Sequence, residues 1–171
     1  IGVSETIAQE TTNKNEITYN TLLVPQGKRK QIILSDGTKV WLNSGSKLIF
    51  PAYFSENKRE VYLEGEAIFE VVHNAIKPFF VKASKYSVEV LGTVFNISNY
   101  KEDATIRTVL KSGSVKINYE NSSLLSRTEN LKISPGTLAV YHKNNKEIIT
   151  EEVHVDKYFS WIEGVFIFKN D

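Results

Sequence analysis

The pair Gly92-Thr93 is where this sequence could act on its own backbone. A threonine hydroxyl can attack the preceding carbonyl carbon of a strained peptide, giving an ester that water then opens. Glycine before the threonine leaves that carbonyl uncrowded and permits unusual backbone angles. The alternative is a bulge followed by an ordinary strand threonine. The sequence alone favours the alternative, because no neighbouring base can be named.

Three glutamates, Glu64, Glu66 and Glu70, share one face of a predicted strand. Paired carboxylates beside a groove can hydrolyse glycosides. Alternating glutamates are also typical of the solvent-facing side of a strand, and one beside Gly65 could cap backbone groups freed by a bulge. We therefore favour a structural role. A carbohydrate-binding or carbohydrate-cleaving β-sandwich stays open as the alternative, with a sugar-stacking platform made from Trp41, Tyr53, Phe54, Tyr62, Phe69, Phe79, Phe80 and Phe95.

Metal, cofactor and nucleic-acid functions lack support in the sequence. The histidines His73, His142 and His154 show no paired ligand spacing, and there is no cysteine. No phosphate loop or dinucleotide fingerprint occurs, so we expect no metal and no cofactor. The 21 basic and 20 acidic residues give no electrostatic case for nucleic acid. Two glycosylation sequons, at Asn96 and Asn121, are short patterns that occur by chance.

The elements that position these residues are predicted to be short strands. Turn signals such as Asp36-Gly37 and Pro135-Gly136 separate apolar runs every eight to twelve residues, which predicts an all-β sandwich or barrel. The predicted strands are 28–34, 39–42, 48–50, 59–72, 79–81, 86–91, 93–97, 104–110, 114–119, 131–133, 137–141 and 147–150. A helix is predicted over Val155 to Ile162, followed by a strand over Gly164 to Phe168.

The longest predicted strand, REVYLEGEAIFEVV from Arg59, is the centre of the chain. Its apolar residues alternate on both sides of Gly65 without a change of phase. A glycine inside a strand marks a bulge, a tight bend or a close backbone approach. We interpret the stretch as two strand arms hinged at Gly65.

The chain of 171 residues suits one domain, or one and the start of another. Ser4 to Asn20 is polar and without apolar period, which predicts a linker or tether. The sequence begins at Ile1 and has no methionine. We therefore expect a piece of a longer chain, whose signal peptide or anchor would lie upstream.

Seven ordered blocks resemble the FecR family. They are VPQGKRKQIILSDGTKVWLNSGSKLIFP from Val24, REVYLEGEAIFEV from Arg59, KPFFV from Lys77, VLGTVFNIS from Val90, LKSGSVKI from Leu110, SPGTLAVY from Ser134 and WIEGVFIF from Trp161. The resemblance is to the Bacteroidota branch of the family and runs from about Thr21 to Phe168. The family-motif residues are Asp36, Gly37, Thr38, Trp41, Asn43, Gly65, Glu66, Phe69, Pro78, Phe79, Phe95, Gly113, Pro135 and Gly136.

The resemblance implies a jelly-roll-like β-sandwich and a place in an anti-sigma regulator of the inner membrane. Residues 1–20 would be the tether from the membrane anchor, 21–153 the FecR domain, and 154–171 a linker helix and the first strand of a C-terminal signalling-type α/β domain. The domain would be periplasmic, and a transmembrane helix outside this sequence would be its contact with the membrane. Some family members cleave themselves at a Gly-Thr bond that matches Gly92-Thr93.

The resemblance also implies the partners. They are the signalling domain of a TonB-dependent outer-membrane transporter, an extracytoplasmic-function sigma factor held by a cytoplasmic segment, and periplasmic and intramembrane proteases. The expected role is non-enzymatic apart from that cleavage, and it works through protein contact and regulated proteolysis.

Overall fold

A computed structural model describes residues 7–11, 17–125 and 127–163. Over these residues the fold is mostly β, with one short helix. The strands are β1 (Ile7–Thr11), β2 (Thr18–Leu23), β3 (Lys30–Ile33), β4 (Lys39–Leu42), β5 (Lys47–Pro51), β6 (Arg59–Glu70), β7 (Phe79–Ala83), β8 (Tyr86–Val90), β9 (Val94–Asn99), β10 (Thr105–Ser112), β11 (Val115–Glu120), β12 (Thr128–Ile133), β13 (Thr137–His142) and β14 (Glu147–Glu152). The helix is α1 (Asp156–Phe159). Each strand predicted between residues 28 and 150 is confirmed, with its ends moved by a few residues.

The strands form one strongly curled sheet with two wings that share β6. Wing A has the order β1-β2-β5-β6-β7-β8-β11-β12, and wing B has the order β3-β4-β6-β9-β10-β13-β14. The first half of β6 pairs in wing A, where Lys47 lies opposite Glu64. The second half pairs in wing B, where Gly65 lies opposite Asn99. β6 therefore changes wing at Gly65, which confirms the predicted hinge.

The two arms of β6 fold over each other. Arg59 begins the strand, and its Nη1 donates to the carbonyl oxygen of Val72, beyond the strand's other end, over 2.6 Å. The core lies between the arms: Phe69 stacks on Phe95 with ring centroids 5.2 Å apart and meets the edge of Phe79 at 6.0 Å. These three aromatic rings have no solvent-exposed surface.

Wing B is buried on both faces where the C-terminal helix packs on it. On β4, Val40 and Leu42 point into the main core while Trp41 points to the other side, as the alternation predicts. There Trp41 and Ile68, which are register partners, pack with Phe159 of α1. The predicted helix is thus present, and its role is to cover an apolar outer face of wing B.

The expectation of a jelly-roll-like sandwich is corrected. A sandwich has two separate sheets, whereas here β6 runs through both wings and makes one curled, half-barrel sheet. The sheet is also mixed, because β6 pairs with β7 in parallel and the other pairs are antiparallel.

Two predictions concern the ends of the chain. Within the range predicted as a tether, Ile7–Thr11 pairs with Thr18–Leu23 as the first two strands of wing A. The attachment of residues 1–20 to a membrane anchor stays a prediction. The strand predicted over Gly164 to Phe168 lies outside the described residues. Among residues 7–11, 17–125 and 127–163, no helix has the length and apolar character that a membrane span requires.

Candidate functional site

The hinge at Gly65 is held by Ser46 from the β4–β5 connection. Gly65 has φ +112°, and a Cβ there would lie 2.7 Å from the Cα of Ser46, so only glycine fits. The Ser46 hydroxyl accepts from the Glu66 N–H over 2.9 Å and donates to the Glu66 carbonyl over 3.1 Å. The backbone groups freed at the bend are thus satisfied by a serine and not by a glutamate carboxylate, which corrects that sequence-based alternative.

The Glu66 carboxylate instead links three elements. Its Oε1 accepts from Asn43 Nδ2 over 2.8 Å, and its Oε2 accepts from Asn96 Nδ2 over 2.9 Å. Asn96, on β9 and 2% exposed, also donates to the carbonyl oxygen of Tyr158 in α1 over 2.8 Å. We call Asn43, Glu66, Asn96 and Tyr158 the helix latch. It ties the hinge to the C-terminal helix.

Arg29, on the N-terminal side of the domain, contacts the segment that directly follows this helix. Arg29 donates to Asn43 Oδ1 over 3.2 Å and to the carbonyl oxygen of Trp161 over 3.4 Å. Its guanidinium also lies over the Trp161 ring, 5.6 Å from the centroid. Arg29 therefore connects Trp161 to Asn43, a member of the latch.

At the open end of the folded arms lies a buried ion pair. Arg59 is 1% exposed and contacts Asp36 Oδ2 at 3.0 Å. It also donates to the carbonyls of Lys77 and Leu91 over 2.8 and 3.1 Å. Asp36 further accepts from the N–H and hydroxyl of Thr38. The Asp36-Gly37-Thr38 turn, predicted only as a hairpin, therefore supplies the counter-charge that closes the domain.

Gly92-Thr93 joins β8 in wing A to β9 in wing B. Gly92 does not have a positive φ, so backbone conformation is not the reason for glycine at this position. The reason is lack of space, because a Cβ there would lie 2.7 Å from the Cα of His73 and 2.9 Å from its Nδ1. Gly113 (φ +86°) packs on the other side, where a Cβ would lie 2.8 Å from the Gly92 carbonyl oxygen. The Thr93 hydroxyl is buried and has no hydrogen-bond partner among the described residues. His73 packs against Gly92 but makes no hydrogen bond to the Thr93 hydroxyl, so it is not positioned to take the proton of that hydroxyl.

The predicted alternatives do not converge on a site. Glu64 pairs with Lys47 at 3.2 Å, Glu66 belongs to the latch, and Glu70 is exposed. Trp41, Phe69, Phe79 and Phe95 are buried, whereas Tyr53 and Tyr62 are 81% and 41% exposed, so the eight aromatic residues make no common platform. Within the described part of the chain, no three histidine or acidic side chains could hold a metal ion together.

A family model described as FecR protein matches residues 20–116. The chain belongs to the FecR family. Two crystal structures of a candidate anti-sigma factor from Parabacteroides distasonis resemble it along most of its length. Their TM-scores are 0.78 and 0.77, with 30% identity over 85% and 84% of this chain. The chain spans about 65% of the length of those solved chains. No curated protein matches this sequence.

The remaining FecR motif residues lie in the core, directly before β7, and at the crossings between wings. The N–H of Arg59 donates to the Pro78 carbonyl over 2.8 Å. In the turn from wing A to wing B that follows Pro135, the N–H of Gly136 donates to the Leu110 carbonyl over 2.9 Å. The sequon at Asn96 is excluded as a glycosylation site of the folded domain, because this side chain is buried in the latch.

Three residues with structural consequences were missed in the sequence: Arg59 as a buried cation, Ser46 as the hinge partner and Asn96 as the link to α1. One signal for the buried outer face was present. Ile68 interrupts the alternation of β6 with an apolar residue on the expected solvent side. Together with Trp41 it could have predicted a cover on wing B.

Proposed function

We propose that this FecR domain is the periplasmic regulatory domain of a transmembrane anti-sigma factor. It relays a signal from the signalling domain of a TonB-dependent outer-membrane transporter to an extracytoplasmic-function sigma factor. The relay works by protein contact, followed by proteolysis of the full-length chain. The observation that carries this proposal is the family match together with a shared fold, at 30% identity, with a candidate anti-sigma factor.

The helix latch supplies a physical route for the relay. A partner that displaces the segment after β14 must break the bond from Asn96 to the Tyr158 carbonyl and the contacts of Arg29 with Trp161. The outer face of wing B, with Trp41 and Ile68, would then be uncovered. We propose that this exposure changes the susceptibility of the full-length protein to proteases.

Binding of the full-length protein to the transporter partner tests the proposal. The purified protein is immobilised and exposed to the signalling domain of the transporter encoded nearest to its own gene. A sigma-dependent reporter is measured in the native host with and without the gene. We expect binding and a changed reporter level on deletion. Absence of binding, together with an unchanged reporter, would contradict the proposal.

Self-cleavage at Gly92-Thr93 is a second proposed activity, supported by the buried Thr93 hydroxyl, which has no hydrogen-bond partner among the described residues. The Thr93 Oγ forms a bond to the Gly92 carbonyl carbon, the C–N bond breaks, and the hydroxyl proton goes to the released amine. Water then hydrolyses the ester, which leaves a Gly92 carboxylate and a free Thr93 hydroxyl.

Intact mass after expression in the native host tests the cleavage. We expect two fragments from the unchanged protein and from Thr93→Ser, which keeps a hydroxyl. We expect one full-length species from Thr93→Ala, which has no hydroxyl. A single full-length species from the unchanged protein would refute self-cleavage and leave the signalling proposal standing.

A further inference from the structure

Strand β14 forms the outer edge of wing B. It pairs with β13 along its full length, from Thr137 opposite Glu152 to His142 opposite Glu147. No described residue pairs with its other side. The strand contains no proline and no bulge, and five of its six residues are exposed. Such a regular, unpaired edge is a template on which another extended chain can pair.

The hydrogen bonds between β13 and β14 show which backbone groups of this edge are open. In an antiparallel pair, successive residues point their N–H and C=O groups alternately toward the partner strand and away from it. The N–H of Val153 donates to the carbonyl oxygen of Gly136 over 2.9 Å, so the odd-numbered residues of β14 bond to β13. The N–H and C=O groups of Ile148, Thr150 and Glu152 therefore point away from β13.

The side chains of β14 determine which strand fits beside it. Ile149 is 58% exposed and lies opposite Val140, which packs with the residues around α1 on the outer face of wing B. Glu147 and Glu151 share that face with Ile149, because strand side chains alternate. Together with Glu152 the strand carries three carboxylates. None of them forms an ion pair with another described residue.

These charges select against a second copy of β14 and in favour of a basic strand. In a two-fold pair of β14 strands, each copy would bring its three glutamates to one seam, and like charges on neighbouring strands are destabilising. A strand with cations opposite Glu147 and Glu151 neutralises both carboxylates, and an apolar residue between these cations lies opposite Ile149. The matching strand therefore has the order basic, any, apolar, any, basic.

We infer that β14 binds an extended polypeptide segment of this order as an additional antiparallel strand. Main-chain hydrogen bonds to the three outward-pointing residues hold the segment, and the side chains of Glu147, Ile149 and Glu151 select its sequence. These three positions form non-hydrogen-bonded pairs with the added strand, in which opposing side chains approach most closely. The site shares no residue with the helix latch or with Gly92-Thr93, and it does not depend on the proposed signalling role.

The fluorescently labelled peptide TKTVTK, whose two lysines and valine would face Glu147, Ile149 and Glu151, is the probe. Its binding to the purified protein is measured by fluorescence anisotropy. We expect saturable binding, and roughly tenfold weaker binding of TETVTE, since its glutamates meet like charges. A TKTVTK peptide methylated on its threonine nitrogens lacks the N–H groups that face β14. It should bind at least about tenfold more weakly than the unmethylated peptide.

The variant Thr150→Pro locates the site on β14. It removes an outward-pointing N–H, whereas the bonds to β13 remain, because proline is tolerated on an edge strand where the N–H faces solvent. We expect the affinity for TKTVTK to fall at least about tenfold. The matched control is Asn130→Pro on β12, the outer strand of wing A. There the N–H of Asn121 donates to the carbonyl oxygen of Arg127, so residue 130 also points outward, and the affinity should be unchanged.

The variant Glu147→Gln with Glu151→Gln tests the charge selection. We expect roughly fivefold weaker binding of TKTVTK and a smaller difference between TKTVTK and TETVTE. Its control, Glu56→Gln with Glu102→Gln, removes the same charge from exposed residues outside β14 and should bind like the unchanged protein.

Four results would overturn the inference: no saturable binding of TKTVTK, equal affinities for TKTVTK and TETVTE, an unchanged affinity in Thr150→Pro, or a loss in Asn130→Pro instead. Thermal melts confirm that every variant is folded. If Thr150→Pro does not fold, the methylated peptide decides the question, and its binding with undiminished affinity would also contradict strand addition.

Discussion

Arg59 and Val72 are 13 positions apart, yet the guanidinium of Arg59 lies 2.6 Å from the carbonyl oxygen of Val72. An uninterrupted strand would separate their backbones by roughly 43 Å. The bend at Gly65 removes that distance by folding one arm of β6 over the other. Arg59 is therefore the contact that closes the fold, and Asp36 compensates its charge.

The first prediction concerns this ion pair. Asp36→Asn leaves the buried Arg59 cation without a counter-charge, so we expect the free energy of unfolding to fall by about 3 kcal/mol. Urea denaturation of the variant and the unchanged protein measures the difference.

The control for Asp36→Asn is Glu64→Gln. Glu64 pairs with Lys47 at 3.2 Å, and both side chains are 39% exposed. An exposed pair contributes about 0–1 kcal/mol, so this change should leave the urea midpoint nearly unmoved. Equal losses in the two variants would show that the Arg59 network does not close the domain.

The sequence predicted the hinge but not this closure, and the reason is physical. The alternation of apolar and polar residues around Gly65 lies within one segment, so the sequence of that segment is enough to predict the hinge. Asp36 becomes the partner of Arg59 only because β3, β4 and β6 pair and bring the Asp36 turn next to the start of β6. No local sequence pattern shows this pairing. Arg59 at the start of an apolar strand resembles an ordinary exposed cation in the sequence.

Ile68 and Trp41 were local signals that wing B needs a cover, but which segment covers it was beyond local patterns. The spacing of apolar residues predicted the helix itself, and the structure confirms it. The face that it covers depends on Trp41 and Ile68 lying opposite each other in neighbouring strands, and on Asn96 reaching a carbonyl in α1. These contacts join segments far apart in the chain, so no local pattern shows them. The jelly-roll expectation came from the family resemblance alone, and the structure corrected it.

The second prediction separates backbone strain from steric exclusion at the hinge. Gly65→Ala adds a Cβ that collides with Ser46 and places alanine at φ +112°. We expect the free energy of unfolding to fall by more than about 3 kcal/mol, because the collision is with the backbone of Ser46 and cannot be relieved by a rotamer change. Denaturation by urea, followed by circular dichroism, measures it.

Gly27→Ala is the matched control for the hinge variant. Gly27 also has a positive φ, of +79°, but a Cβ there would have nothing within 4 Å. The free energy of unfolding of Gly27→Ala should therefore fall by only about 1 kcal/mol, the cost of placing alanine at a positive φ. If the two variants lost the same amount, the Ser46 contact would not be the reason for glycine at position 65.

The third prediction concerns the helix latch. Glu66→Gln replaces one acceptor oxygen by an NH2 group that faces an asparagine NH2. Neither asparagine can turn without loss, because Asn43 Oδ1 accepts from Ser44 and Arg29, and Asn96 Nδ2 also bonds to Tyr158. We expect amide exchange in residues 156–163 to become roughly tenfold faster, as for the loss of about 1.4 kcal/mol.

Hydrogen exchange followed by mass spectrometry tests the latch, and Glu70→Gln is its control. Glu70 lies on the same strand, is exposed, and its side chain makes no hydrogen bond or ion pair with another described residue. Exchange in α1 should be unchanged in this control. Faster exchange spread evenly over both wings in Glu66→Gln would indicate global destabilisation and would contradict a latch.

The fourth prediction is a pH dependence that arises from Tyr86. Burial raises the pKa of Tyr86, which is 1% exposed, above its ordinary value of 10.0. Above pH 10 the unfolded chain therefore loses a proton that the folded protein keeps. Because the unfolded state then binds fewer protons, stability falls as the pH rises, by about 1.4 kcal/mol per unit from this group. Below pH 10 its contribution is fully present.

The variant Tyr86→Phe isolates that contribution. At pH 8 it should be less stable than the unchanged protein by about 1–2 kcal/mol, because the Thr108 hydroxyl loses its 2.6 Å partner in the core. At pH 11 the difference should shrink, since phenylalanine has no proton to lose. Tyr86→Phe with Thr108→Val removes both partners and should recover most of the loss at pH 8. Urea midpoints at the two pH values decide the matter, and a difference that does not change with pH would assign the alkaline loss of stability to other tyrosines.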